Sequence, residues 1–87
     1  MDNWQFQQVK IFPNPTSATL YVELTDDKAQ YPLSFSLIDV LGKVVLQDTK
    51  LRDNSFSQNI GDLPQGLYFV RLTDKVGRSF SGKIWKY

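Results

Sequence analysis

The sequence predicts an all-β fold: a single small immunoglobulin-like antiparallel β-sandwich of about seven strands. Three observations carry this prediction. Apolar residues alternate at period 2 in short runs, and nowhere do they hold a 3.6 period over three helical turns. The runs centre near residues 8, 20, 35, 45, 57, 69 and 82, at roughly the 8–12-residue spacing of a sandwich. A turn pattern, Asp39-Val40-Leu41-Gly42, recurs as Asp74-Lys75-Val76-Gly77. Alternation also fits one closed sheet, so a small barrel is the other closure.

Residues 1–8 set Trp4 and Phe6 among polar side chains and read as a linker remnant of a longer parent, leaving residues 9–87 as the domain. A first strand is expected around Val9, Lys10 and Ile11. Phe12-Pro13-Asn14-Pro15-Thr16-Ser17 then makes a rigid corner, because its two prolines remove donors and hold Phe12 and Asn14 extended. Pro15 also bars glycosylation of Asn14. From Thr19 to Leu24, Leu20, Val22 and Leu24 point inward while Tyr21 and Glu23 point out. Thr25 to Pro32 is a polar loop, and Leu33, Phe35 and Leu37 resume the alternation between Ser34 and Ser36.

Asp39 to Gly42 has Asp at the first and Gly at the fourth position of a type I turn closed by an αL glycine. Lys43 to Gln47 returns as the hairpin partner through Val44 and Leu46. Asp48 to Asn54 reads as a polar connection around Leu51, and Ser55 to Ile60 as a weaker strand with Phe56 and Ile60 on one face. In Leu63-Pro64-Gln65-Gly66, Pro64 presets a turn and Gly66 supplies αL. The strand that follows has Tyr68, Val70 and Leu72 on one face and Leu67, Phe69 and Arg71 on the other, which predicts a central strand covered on both sides. The second Asp-x-x-Gly turn leads to a last strand, Ser79 to Tyr87, in which Phe80, Gly82 and Ile84 alternate with Ser81, Lys83 and Trp85.

Eighty-seven residues make one domain with one core, burying roughly 60–65% of its unfolded surface. At 41% hydrophobic, 14% aromatic and 22% charged, the composition is that of a folded chain. A net charge of +1 gives no general attraction to nucleic acid or anionic lipid. The distribution is uneven. Residues 1–62 carry five Lys/Arg against eight Asp/Glu, whereas 63–87 carry Arg71, Lys75, Arg78, Lys83 and Lys86 against Asp74 alone. This basic third is either a solvated strand face or a contact surface for an acidic partner. No apolar run reaches the roughly 18 residues of a membrane span, and no signal-peptide core follows Met1. If the chain is exported, the address lies upstream in a longer parent or is the domain itself.

The absence of cysteine and histidine removes disulfides, thiolate metal sites, the usual general base and His-dependent triads. No Ser-x-x-Lys sits in a strand-to-helix context, the Asp26-Asp27 pair lacks calcium-loop spacing, and the glycines stand singly at turns. No enzyme, metal or cofactor is expected. Binding is. Trp4, Tyr21, Tyr31, Trp85 and Tyr87 are candidate exposed aromatics, and Trp85, between Lys83 and Lys86, is the best placed.

Five pieces in order resemble one known family: Phe12-Pro13-Asn14-Pro15; Leu20 with Val22; the run Leu37 to Val45 around Asp39 and Gly42; Leu63 to Val70 around Gly66 and Tyr68; and Gly82-Lys83-Ile84-Trp85-Lys86. Together, over about residues 9–87, they resemble the type A C-terminal sorting domain of type IX (Por) secretion cargo. The resemblance implies a module at the end of an exported protein that reaches the periplasm, folds, and is recognised by the outer-membrane translocon and shuttle components. It also implies removal by a sortase-type cysteine peptidase near or upstream of residues 1–8, with cargo anchored at the cell surface or released. Pro13, Asn14, Pro15, Asp39, Gly42, Gly66 and Tyr68 are then the fold-defining motif residues. Lys83, Ile84, Trp85, Lys86 and Tyr87 are the partner contacts. Trp85 stands where the family usually has a smaller aliphatic, and Tyr87 follows the Lys86 that ends the pattern. A non-catalytic carbohydrate-binding module and an immunoglobulin-like adhesion or spacer domain are the alternatives.

Overall fold

Parity of the apolar residues sorts the chain into strands β1 (Val9–Phe12), β2 (Thr19–Leu24), β3 (Leu33–Ile38), β4 (Val44–Leu51), β5 (Ser55–Asn59), β6 (Gly66–Thr73) and β7 (Ser79–Lys86). The structure is a computed structural model that describes residues 9–13, 18–26 and 28–87. The linker at 1–8, with Trp4, and Asn14, Pro15 and Asp27 lie outside the described residues.

The strands form two antiparallel sheets, in the orders β1-β2-β5 and β4-β3-β6-β7. No ladder joins the two sheets among the described residues, so the closure is a sandwich and not the small barrel. Leu20, Val22 and Leu24 of the three-stranded sheet meet Leu33, Phe35, Leu37, Tyr68, Val70, Leu72, Phe80 and Ile84 of the four-stranded one, with Val9 and Ile60 completing the core. Burial of each such side chain contributes on the order of 1.5–3 kcal/mol, the main stabilising term in a chain this size. Phe35 and Phe56 meet edge-on across the layers at 5.5 Å, and the Gln58 amide donates to Asp48 Oδ2 at 3.1 Å along one side. Inward-facing Gly82 lets β1 approach β7, because a Cβ there would run into Ile11 Cδ1.

Both Asp-x-x-Gly turns form as expected, with Gly42 at φ +86° and Gly77 at φ +95°. The Leu63–Tyr68 segment has a further device. The Tyr68 hydroxyl donates to the Pro64 carbonyl at 2.6 Å, four residues back, tying the start of β6 to the turn before it. This is the tyrosine corner of immunoglobulin-like sandwiches. Burial, and secondarily the negative charge of Asp39, push the Tyr68 phenol above its ordinary range.

Three expectations are corrected. Gly66 is not αL: it opens β6 at φ +155°, extended but on the positive side that an L residue rarely takes. β6 is central in its sheet yet covered on one face only, because a two-layer sandwich leaves each sheet an outer face. Phe69 is accordingly 40% exposed. β4 runs on to Leu51, so Asp48–Leu51 is strand and not connection. Two register shifts on β3 disguise it: between Leu37 and Ile38 an extra residue turns Val44 out and packs both Val45 and Leu46 on the core. At the second shift Lys50 sits at φ +67°.

Candidate functional site

β7 is the last strand of its sheet among the described residues, paired with β6 from Gly66↔Lys86 to Thr73↔Ser79. Because side chains alternate, the predicted contact residues divide. Lys83, Trp85 and Tyr87 face outward and are exposed, whereas Ile84 is fully buried in the core. Lys86 is 5% exposed and on the inward side, with its ammonium donating to the Tyr87 carbonyl oxygen at 2.7 Å. Lys83 and Lys86, three apart, therefore cannot present two charges on one face.

Of the motif residues that are described, Asp39, Gly42, Gly66 and Tyr68 lie in or beside turns. Asp39 Oδ1 accepts from the Leu41 and Lys43 amides at 2.9 Å each, which holds the β3–β4 turn. Pro13 is exposed just after β1. Gly42, Gly66 and Tyr68 fix the turns at the same end of the sandwich where β7 finishes.

The basic third of the sequence also divides. Arg78 binds Asp74 at 3.2 Å and Asp26 at 3.3 Å, and its guanidinium lies 5.5 Å from the Phe80 ring centre. Burial alone would raise the Asp74 carboxyl, but amide donors from Gln30 and Arg78, and then the guanidinium, outweigh it and hold the carboxyl below its ordinary range. Arg78 is thus a structural cation pinning the 25–32 loop. Arg71 and Lys83 remain on the outer face of the four-stranded sheet and form no ion pair among the described residues.

That outer face carries residues the sequence reading passed over. The register sets Val44, Ile38, Phe69 and Lys83 in one row across all four strands, with Leu67 opposite Trp85 in the next. Phe69, Val44 and Trp85 are 40%, 48% and 42% exposed. A signal was available: a strand apolar on both faces, in a fold of two layers, must show one of them to solvent. Tyr21, 46% exposed, is on the other sheet, and Tyr31 packs against the core, so the candidate aromatics do not form one platform. Among the described residues no cluster of carboxylates could hold a metal ion. The arrangement offers surfaces for recognition, with charge and apolar area side by side.

Known proteins resemble the chain in fold and in sequence. A DUF3244-family protein with an immunoglobulin-like β-sandwich from Bacteroides vulgatus superposes with a TM-score of 0.73 at 14% identity, over 92% of this chain and 85% of that one. CopC from Methylosinus trichosporium gives 0.52 at 17% identity, over 90% of each. These identities speak for the fold alone. An endo-acting ulvan lyase of Formosa agariphila is 29% identical over 76 residues, 87% of this chain but 14% of that protein. The family described as the secretion system C-terminal sorting domain matches residues 10–86.

Proposed function

The chain belongs to the secretion system C-terminal sorting domain family, and on that ground we propose that it is the handle by which a folded cargo is drawn from the periplasm through the type IX outer-membrane translocon. A sorting tail of this kind marks its parent for export to the cell surface or beyond, and implies an upstream cargo domain. The observation that carries the reading is the family match across nearly the whole chain. The shared segment with the ulvan lyase is 14% of that protein, so it speaks of the tail and not of what the cargo acts on.

The finer steps follow the resemblance. Shuttle components and the translocon read the domain, and a sortase-type cysteine peptidase cuts near or upstream of residues 1–8, anchoring or releasing the cargo. The fold suits the task physically. A rigid sandwich presents β7 in one conformation, so little ordering entropy is lost on recognition. A translocon component adds a strand along β7, with backbone bonds for affinity and the outward Lys83, Trp85 and Tyr87 for register.

A reporter carrying the domain with Trp85→Ser and Tyr87→Ser, both on the outward side, should stay in the periplasm while circular dichroism shows the sandwich intact. Normal export of that folded variant would refute the role of β7. A carbohydrate-binding reading rests on the same exposed Trp85. It would be favoured by retardation on a polysaccharide gel that Trp85→Ala abolishes.

A further inference from the structure

The outer face of the four-stranded sheet is polar in one half and apolar in the other. Towards the 74–78 turn its rows hold Gln47, Ser36, Arg71 and Ser81, then Ser34, Thr73 and Ser79. Towards the 39–43 turn they hold Val44, Ile38 and Phe69 beside Lys83, then Leu67 beside Trp85. The apolar half continues over the turn, where Val40 and Leu41 are 64% and 89% exposed. Phe69 stands between two shallow hollows. One, of about 470 Å³, lies on its β7 side over Ser81, Gly82 and Lys83; the other, of about 370 Å³, lies on its β3 side against Ile38, Val40 and Gly42.

The cations on this face are Arg71 and Lys83, and one acid, Asp39, stands at its turn end. Arg71 and Lys83 flank the apolar rows, while Asp39 lines the hollow on the β3 side and turns its Oδ1 to the Leu41 and Lys43 amides. Exposed aliphatic and aromatic groups, bordered by two cations that form no ion pair among the described residues, fit a surface that offers apolar side chains among carboxylates.

We propose that this half of the face is a docking surface for a protein partner of the export machinery whose contact segment combines apolar side chains with carboxylates. The apolar groups occupy the hollows beside Phe69, and the carboxylates meet Lys83 and Arg71. This contact is made by side chains across the sheet and leaves the β7 backbone available for strand addition. It rests on the reading of the domain as an export handle.

The test is a signal peptide–reporter–domain fusion in a type IX-competent host, read as the exported fraction. The unaltered domain should export the reporter. Phe69→Asp, and separately the double change Arg71→Glu with Lys83→Glu, should each lower the exported fraction at least tenfold. Val76→Asp, at the far end and 66% exposed, should not. All variants should keep their melting temperatures within a few degrees, because every altered side chain faces outward. Export of both altered-face variants at the unaltered level would overturn the docking surface and leave the export handle standing; failure of the unaltered domain would overturn the handle itself. Sedimentation of the purified domain as a dimer that Phe69→Asp dissociates, with export unchanged, would assign the face to a second copy and also overturn the proposal.

Discussion

The β3–β4 turn and the β6–β7 turn share the same local bonds. In each, the Asp amide donates to the carbonyl four residues on, at 2.9 Å, and the Gly amide donates back to the Asp carbonyl, at 3.0 and 3.1 Å. In each, one Asp carboxylate oxygen takes two amides of its own turn, from Leu41 and Lys43 or from Val76 and Arg78. Their surroundings differ. The second oxygen of Asp74 accepts from the Gln30 amide at 3.1 Å and Arg78 Nε at 3.2 Å, and the Lys75 amide reaches the Gln30 carbonyl at 2.8 Å. Among the described residues Asp39 makes no hydrogen bond outside its turn. One Asp-x-x-Gly is a tertiary pin, and the other is a free loop that holds Val40 and Leu41 out beside the apolar half of the outer face. The four-residue pattern dictates the hairpin; what reaches the second oxygen dictates its place in the fold.

The sharpest way to break this contrast is to remove the pin. Asp74→Ala leaves the Gln30 amide without its acceptor and Arg78 with Asp26 as its remaining partner, so thermal melts should fall by roughly 10 °C or more. Asp39→Ala should cost only about 1 kcal/mol, or roughly 4–8 °C. Equal losses would erase the distinction. Gly42→Val and Gly77→Val should each cost about 1–2 kcal/mol and differ little in chemical denaturation, because both glycines hold positive φ with open space around them. The pin should also titrate. The folded Asp74 carboxyl lies below its ordinary 3.8, so its contribution is complete above that value and is lost as pH falls through the lower folded one. Acid unfolding followed by circular dichroism should therefore be shallower below about pH 4 in Asp74→Asn than in the unaltered protein. The smallest effect is expected at Leu41→Asp, within about 0.5 kcal/mol of unaltered stability by denaturant titration.

Much of this was legible in residues. Asp39, Gly42, Asp74 and Gly77 announce their turns because only those side chains and that αL freedom close them. Alternation placed β2 and β3, and parity within Ser79–Tyr87 turned Lys83 and Trp85 outward. Lys86 is expected among the partner contacts beside Lys83, and its inward place on β7 corrects that expectation. What stayed hidden was non-local. The shifts along β4 break parity, so Val44 read as core and Asp48–Leu51 as loop. Phe69 read as covered because an apolar residue carries no mark of which layer lies beyond it; only the two-sheet closure exposes it. The second oxygen of Asp74 meets Gln30, 44 residues away, a contact that no local pattern encodes.

The most direct measurement is the location of a fluorescent reporter joined through a signal peptide to residues 1–87 in a type IX-competent cell. The reporter should be found at the cell surface or in the medium. Its retention in the periplasm, with the domain folded, would contradict the role of this sandwich as an export handle.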